Sequence, residues 1–500
     1  MHLKQNREPF LMRRFFGADM VPVLEKREAV QNRCMIKKLF FCFVLCLCLP
    51  LIGHAKEAKW PPAPPAGTAL DIEDTVYGVL RSHRTLRGIQ ENKEVLEHEL
   101  DRARAGFGPR VDLEAKGGGS YYNDSTTRAN GLDDKMYGYI STSAKLVQPI
   151  WDGFATRSRV REAQSTLDSM KHRVFDNATS LGLDGIIAHI DLLRRRAIYE
   201  LALDNVRQHK EILAQAQERA FLGADTEADV TQTQSRLARA ESSLSEAKAS
   251  LRVAEHTYKR LTGLDPAQLR PVTMPPDVFT STEKIFELAQ QSNPKLAAYM
   301  QDIRASRARR ELADSAFYPT FNVEVGPSYT NRGGATDRWI YSFDVLGTMR
   351  WNIFNSGADL AEQKAASARM RQTRQQLYDF IDSLKLDIES TWANYEAAQE
   401  QYQHYSKAVE FNKYTREAYL EQFSIGKRSL LDVLDTISEL YNSSTQAETA
   451  RGNILVGAYR LSGLTGNLLP SMGINTSPLE TRVPVDPTDK RELFKPAWFK

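Results

Sequence analysis

Between residues 377 and 409 the apolar positions step alternately by four and three: Leu377, Ile381, Leu384, Ile388, Thr391, Tyr395, Ala398, Tyr402, Tyr405 and Val409. That alternation is a heptad seam, and it predicts a long helix packed as in a coiled coil. Leu181, Gly185, Ala188, Leu192, Arg195, Tyr199, Ala202, Val206, His209 and Leu213 keep the same spacing less cleanly. Glycines bound each pattern, Gly153 to Gly223 and Gly357 to Gly426. About 70 residues at 1.5 Å each give a helix of roughly 100 Å. Helical spacing resumes over 226–261 and 429–461, so each half is expected to hold a long antiparallel helical hairpin. The hairpin tips fall at Gly223 and at Gly426-Lys427.

A different period precedes each long helix. Trp339, Tyr341, Phe343, Val345, Met349 and Trp351 alternate with Ser342, Asp344, Thr348 and Arg350, and Phe321, Val323, Val325 and Tyr329 alternate with Asn322, Glu324 and Ser328. In the first half the runs are weaker: Val111, Leu113 and Ala115, then Ile140, Ala144, Leu146 and Ile150. Period two with turn-rich links at 122–135 and 330–337 predicts paired strands. Runs of about 10–13 residues are long enough to cross a bilayer when tilted. The same pattern also suits a soluble hairpin packed on one face. Four strands cannot close a barrel, so transmembrane strands would require several chains.

The chain also repeats itself. ERAFLGADTEADV (218–230) aligns with EQFSIGKRSLLDV (421–433) at an offset of 203, placing Asp229 on Asp432 and Gly223 on Gly426. FGPRVDLE (107–114) parallels FYPTFNVE (317–324), PIWDG (149–153) parallels NIFNSG (352–357), and YKRLTGL (258–264) parallels YRLSGL (459–464). Four matches in one order indicate a two-fold internal repeat.

Residues 35–55, MIKKLFFCFVLCLCLPLIGHA, read as a secretory signal: two lysines, an apolar run, and a small-residue cleavage site at Ala55. Its run of about 13 apolar residues is short of the ~20 that span a bilayer. Residues 1–34 resemble no exported segment. All four cysteines precede residue 56, so the exported chain would lack disulfides and free thiols. The whole chain has 66 Lys plus Arg and 63 Asp plus Glu. Removing the nine basic and four acidic residues of 1–55 leaves 57 and 59, a net charge near −2. No basic field points to nucleic acid. The histidines show no metal-ligand spacing, GGGS (117–120) is not followed by GK[ST], and no catalytic grouping is visible.

Repeat, signal, paired strands and very long helices together resemble the TolC-like outer membrane efflux protein family, over roughly residues 70–469. The likeness is most specific in GKRSLLDVLDTISELYNSS (426–444), which is similar to the second tip of members serving one-step (type I) protein secretion. The resemblance implies a mainly α chain that trimerises in the Gram-negative outer membrane. Each chain would lend four strands to a twelve-stranded transmembrane β-barrel joined to a periplasmic α-helical tunnel. It implies that Asp432 and Asp435 ring the tunnel entrance, with Glu439 one turn further along the acidic stripe. Arg428 falls on the family's latch residue. Asp229 falls on a carboxylate that accepts a latch hydrogen bond from a tyrosine, and Phe423, at the tyrosine position, cannot donate it. The implied partners are a periplasmic adaptor (membrane fusion) protein, an inner membrane ABC or proton-driven transporter, and outer membrane lipid, with no cofactor.

The resulting division is 1–55 extension and signal, 56–69 Pro-rich linker, 70–263 first repeat, 264–282 connection, 283–469 second repeat and 470–500 tail. Type I secretion and small-molecule efflux both fit an exit duct of this kind. A periplasmic coiled-coil adaptor or scaffold with soluble strands is the alternative of a different class. N-terminal sequencing of the purified protein should begin near Lys56, and thiol labelling of it should find no cysteine.

Overall fold

The computed structural model describes residues 60–480, except 66, 122, 124, 132, 134, 224–225, 267, 277–279 and 333–338. The signal, the start of the linker and the tail beyond 480 therefore lie outside the described residues. In chain order the first repeat gives α1 (Ile72–Ser82), α2 (Arg84–Ala105), β1 (Arg110–Tyr121), a short α3 (Ser125–Ala129), β2 (Met136–Trp151), α4 (Ala155–Phe221) and α5 (Glu227–Thr262). The second gives α6 (Thr282–Ser292), α7 (Pro294–Asp314), β3 (Thr320–Arg332), β4 (Trp339–Arg350), α8 (Ala358–Ser424) and α9 (Leu430–Thr465). Two single turns follow, α10 (Leu468–Ser471) and α11 (Ser477–Glu480). α4 and α8 have 67 residues each and α5 and α9 have 36, each pair starting at the offset of 203 read from the tips. The repeat thus holds element by element through both hairpins.

The four strands form one antiparallel sheet in the order β1-β2-β3-β4, so β2 and β3 join the two halves. The register sets Val111 beside Leu146, Leu146 beside Val325, and Val325 beside Val345. Leu113, Phe343, Tyr341 and Tyr329 belong to the same apolar face, which is left open: Leu113 is 82% and Val345 65% exposed. The opposite face is mostly polar, with a Lys145–Glu324 ion pair at 2.5 Å and hydrogen bonds Ser328–Ser342 at 2.8 Å and Ser141–Thr330 at 3.2 Å. The described residues of this chain leave the apolar side of the sheet uncovered. The fourth strand ends one residue early, at Arg350. Trp351 lies outside the sheet, its Nε1 donating to the Phe317 carbonyl at 3.2 Å.

Why is the first seam less clean? α8 buries Leu377, Leu384, Ile388 and Ala398, a narrow stripe facing few neighbours. α4 packs against α1, α2, α5, α7 and α9, so it needs apolar or small residues on more than one side. Gly185 is one such position: a Cβ there would lie 2.7 Å from Val79 Cγ2 on α1.

The main core lies where α1 and α2 cross the middle of α4. It holds Val76, Leu80, Leu86, Ile186 and Ile190, with Tyr459 from the second repeat and Leu468, Leu469, Ile474 and Leu479 from the segment after α9. Buried Lys93 fastens that segment by donating to the carbonyls of Leu479 and Glu480 at 3.2 and 2.8 Å. The connection between repeats runs beside the start of α1, where Leu70 N donates to Gln268 O and Arg270 N to Leu70 O, both at 3.0 Å.

His189 is buried at this crossing. Its Nε2 lies 3.0 Å from the Arg270 carbonyl, which can only accept, so Nε2 carries the hydrogen. Nδ1 then accepts from Thr75 Oγ1 at 2.8 Å, and Thr75 in turn accepts from the Tyr258 hydroxyl at 2.8 Å. Burial holds the Tyr258 phenol neutral, with its pKa raised to about 12, and pushes the His189 imidazole below its ordinary 6.5. Burial likewise lowers His209 and His172. A histidine with a depressed folded pKa binds fewer protons folded than unfolded, so its contribution is complete above the unfolded value and fades as pH falls below it. The melting temperature in detergent should therefore fall as pH drops below about 6.5, the ordinary histidine value. H189Q should flatten that slope measurably.

Candidate functional site

Each hairpin turns through a glycine in the left-handed region, Gly223 at φ 76° and Gly426 at φ 74°, where an L side chain would be strained. The next helix opens with the same cap in both repeats. Thr226 Oγ1 accepts from Asp229 N at 3.3 Å, and Ser429 Oγ accepts from Asp432 N at 3.2 Å. Asp229 and Asp432 are thus third-position residues of capped helices, where a carboxylate also meets the positive end of the helix dipole.

The two carboxylates then diverge. Asp229 folds back onto Thr226, accepting from its N at 3.0 Å and its Oγ1 at 2.7 Å, and these bonds hold it below the usual carboxylate range. Its carboxylate is engaged within its own cap. Asp432 turns to Arg428, with Nη1 to Oδ2 at 3.4 Å.

Arg428 is braced within the same tip. Its Nε donates to Gln422 Oε1 at 3.2 Å, and its guanidinium carbon stands 3.9 Å from the centre of the Tyr419 ring. Lys427 contributes its backbone, donating to the Gln422 carbonyl at 2.9 Å. Arg428 therefore closes the turn from α8 to α9 in its own chain, using three partners.

Phe423 is 3% exposed and belongs to a cluster that includes Ile212 and Ala216 of α4 and Leu430, Val433, Leu434 and Ile437 of α9. Its position is a core position joining the two hairpins. Arg219 of α4 covers the ring, 4.7 Å from its centre, and donates to the Phe423 carbonyl at 3.4 Å.

Asp435 does not share a partner with Asp432. Its Oδ1 is 2.8 Å from Arg236 Nη2 on α5, across from the other hairpin. Glu439 is exposed, and its carbonyl accepts from Asn412 Nδ2 at 3.4 Å. The structure brings Arg428 with Asp432, and Phe423 with the α9 core, and leaves Asp229 apart from both in its own cap. Sequence reading missed Arg236, Arg219, Tyr419 and Gln422. The repeat offset held one signal, because Arg236 occupies the position of Glu439.

The sequence profile described as outer membrane efflux protein matches twice, over residues 76–264 and 285–467. The chain belongs to the outer membrane efflux protein family. It is a TolC-like channel protein of the Gram-negative outer membrane. BepC, an outer membrane efflux protein of Brucella suis, is 21% identical over 434 residues, spanning 86% of this chain and 92% of BepC. The alkaline protease secretion protein AprF of Pseudomonas aeruginosa is 24% identical over 393 residues, spanning 75% and 81%. The CmeC outer membrane channel of Campylobacter jejuni superposes with a TM-score of 0.68 at 15% identity, covering 81% of this chain and 90% of CmeC.

F423A should loosen the tip of this efflux protein selectively. Emptying a buried aromatic site costs about 3–5 kcal/mol, and the cluster is confined to the tip. Amide hydrogen exchange should accelerate over 420–437 while the crossing near His189 keeps its protection.

Proposed function

We propose that this efflux protein is the outer membrane exit duct of a tripartite export system, working as a passive homotrimeric channel-tunnel and not as an enzyme. The observation that carries the reading is the sheet: an exposed apolar face, a polar opposite face and two unpaired edge strands among the described residues. Three copies would close it into a twelve-stranded barrel, apolar toward lipid and polar within. The long hairpins would then extend roughly 100 Å into the periplasm, ending at the tips that hold Asp432, Asp435 and Glu439. A periplasmic adaptor would engage the duct, and an inner membrane ABC or proton-driven transporter would energise it.

Type I protein secretion is the use that the SLLDVLD tip favours, and the likeness to AprF agrees. The more extensive match to BepC favours small-molecule efflux as the second reading. The protein in mild detergent should scatter light as a trimer, remain with outer membranes through a carbonate wash, and conduct in planar bilayers. A folded monomer released by carbonate would instead make it a periplasmic scaffold.

A further inference from the structure

An entrance ring of free carboxylates would be strongly cation-attracting, because charges in a narrow low-dielectric constriction focus the local field. Two of the three tip carboxylates stand beside arginines. Asp432 is held by Arg428 and Asp435 by Arg236, at 3.4 and 2.8 Å. Asp432, Asp435 and Glu439 alone would give each chain a charge of −3; with Arg428 and Arg236 beside them the five groups sum to −1. Arg236 is the unexpected member. It comes from the first hairpin, at the position where the second repeat carries Glu439, so the pseudo-symmetric partner of an acid is a base.

Arg236 and Asp435 also sit on elements that otherwise touch little. α5 packs chiefly on α4, and α9 packs chiefly on α8 and α4. The pair therefore bridges the second helices of the two hairpins, with side chains 28% and 49% exposed. Moving one hairpin away from the other at the tip breaks this contact and opens the Ile212–Phe423–Val433 cluster that also joins them.

We propose that Arg236 is a gate-positioning residue of the efflux protein. It clamps the first hairpin to the second at Asp435 in the resting state, and it masks that carboxylate from the tunnel. Separating the hairpins frees both functions at once: the entrance widens, and the unmasked Asp435 carboxylates make it more cation-attracting. Charge preference is thereby tied to opening. This rests on the exit-duct reading proposed above.

Two measurements test it. In the purified protein, whose described residues contain no cysteine, R236C/D435C should be joined within one chain by a short bifunctional thiol reagent. Absence of that cross-link overturns the pairing, and the measurement requires no conduction. In planar bilayers, R236Q should raise resting conductance and tighten block by La3+ on the order of tenfold, the lower end of the enrichment a focused field gives. R236Q/D435N should keep the raised conductance and bring La3+ block back close to the wild-type value. Unchanged conductance and block in R236Q overturn the proposal, as does a double variant blocked as tightly as R236Q. If R236C/D435C cross-links but the wild-type protein never conducts, the duct reading falls and the gating role with it, and the cross-link tells that outcome apart from a missing pair.

Discussion

A strand edge in lipid has nowhere to place its hydrogen bonds. β1 and β4 each turn a row of backbone N–H and C=O groups outward, and among the described residues no strand pairs with either outer edge. Each such group left unmet in hydrocarbon costs several kcal/mol, so a few of them exceed a typical net folding stability of about 5–15 kcal/mol. Water is no better a home, because Leu113, Tyr341, Phe343 and Val345 stand open on one face. A single chain of this efflux protein suits neither solvent. Under the proposed exit-duct reading, closure with further copies would answer both demands, and the polar face with its Lys145–Glu324 pair would turn inward.

The long helices answer a related demand by different means. A helix of 67 residues keeps its course only if a continuous stripe along it is buried. α8 places few large residues on that stripe, and its other faces carry Phe411, Tyr414 and Leu386 in the open. α4 carries more of the load. It takes α1 near its middle and α2 and α7 along its N-terminal third, and it reaches the tip cluster with Ile212 and Ala216. The two repeats have the same element lengths and distinct duties.

Polar contacts are placed where segments distant in sequence meet. At the crossing, Thr75, His189, Tyr258 and the Arg270 carbonyl tie α1, α4, α5 and the inter-repeat connection. Lys93 holds the segment after α9, and at the tip Arg219 and Arg236 reach from the first hairpin to Phe423 and Asp435 of the second. A buried bond of the first kind is costly to break, since it strands a polar group away from water. A partly exposed ion pair such as Arg236–Asp435 contributes less to stability than such a buried bond.

The sequence by itself determined the parts whose signal is local. Periods of two and of three-and-a-half separated strands from helices, the offset of 203 exposed the repeat, and Gly223 and Gly426 marked the tips where φ is positive. It also determined which side of each strand is apolar, because alternation needs no knowledge of neighbours. Only the tertiary structure decided what the tip charges do. Asp432 and Asp435 look alike in sequence, yet one donates its backbone N–H to the Ser429 cap and pairs within its own turn, and the other answers an arginine from the other hairpin. Phe423 read as a lost hydrogen-bond donor and proved to be a core residue. The physical reason is the same in both cases: burial and ion pairing belong to pairs of residues, and which pairs form is set by how the two hairpins dock.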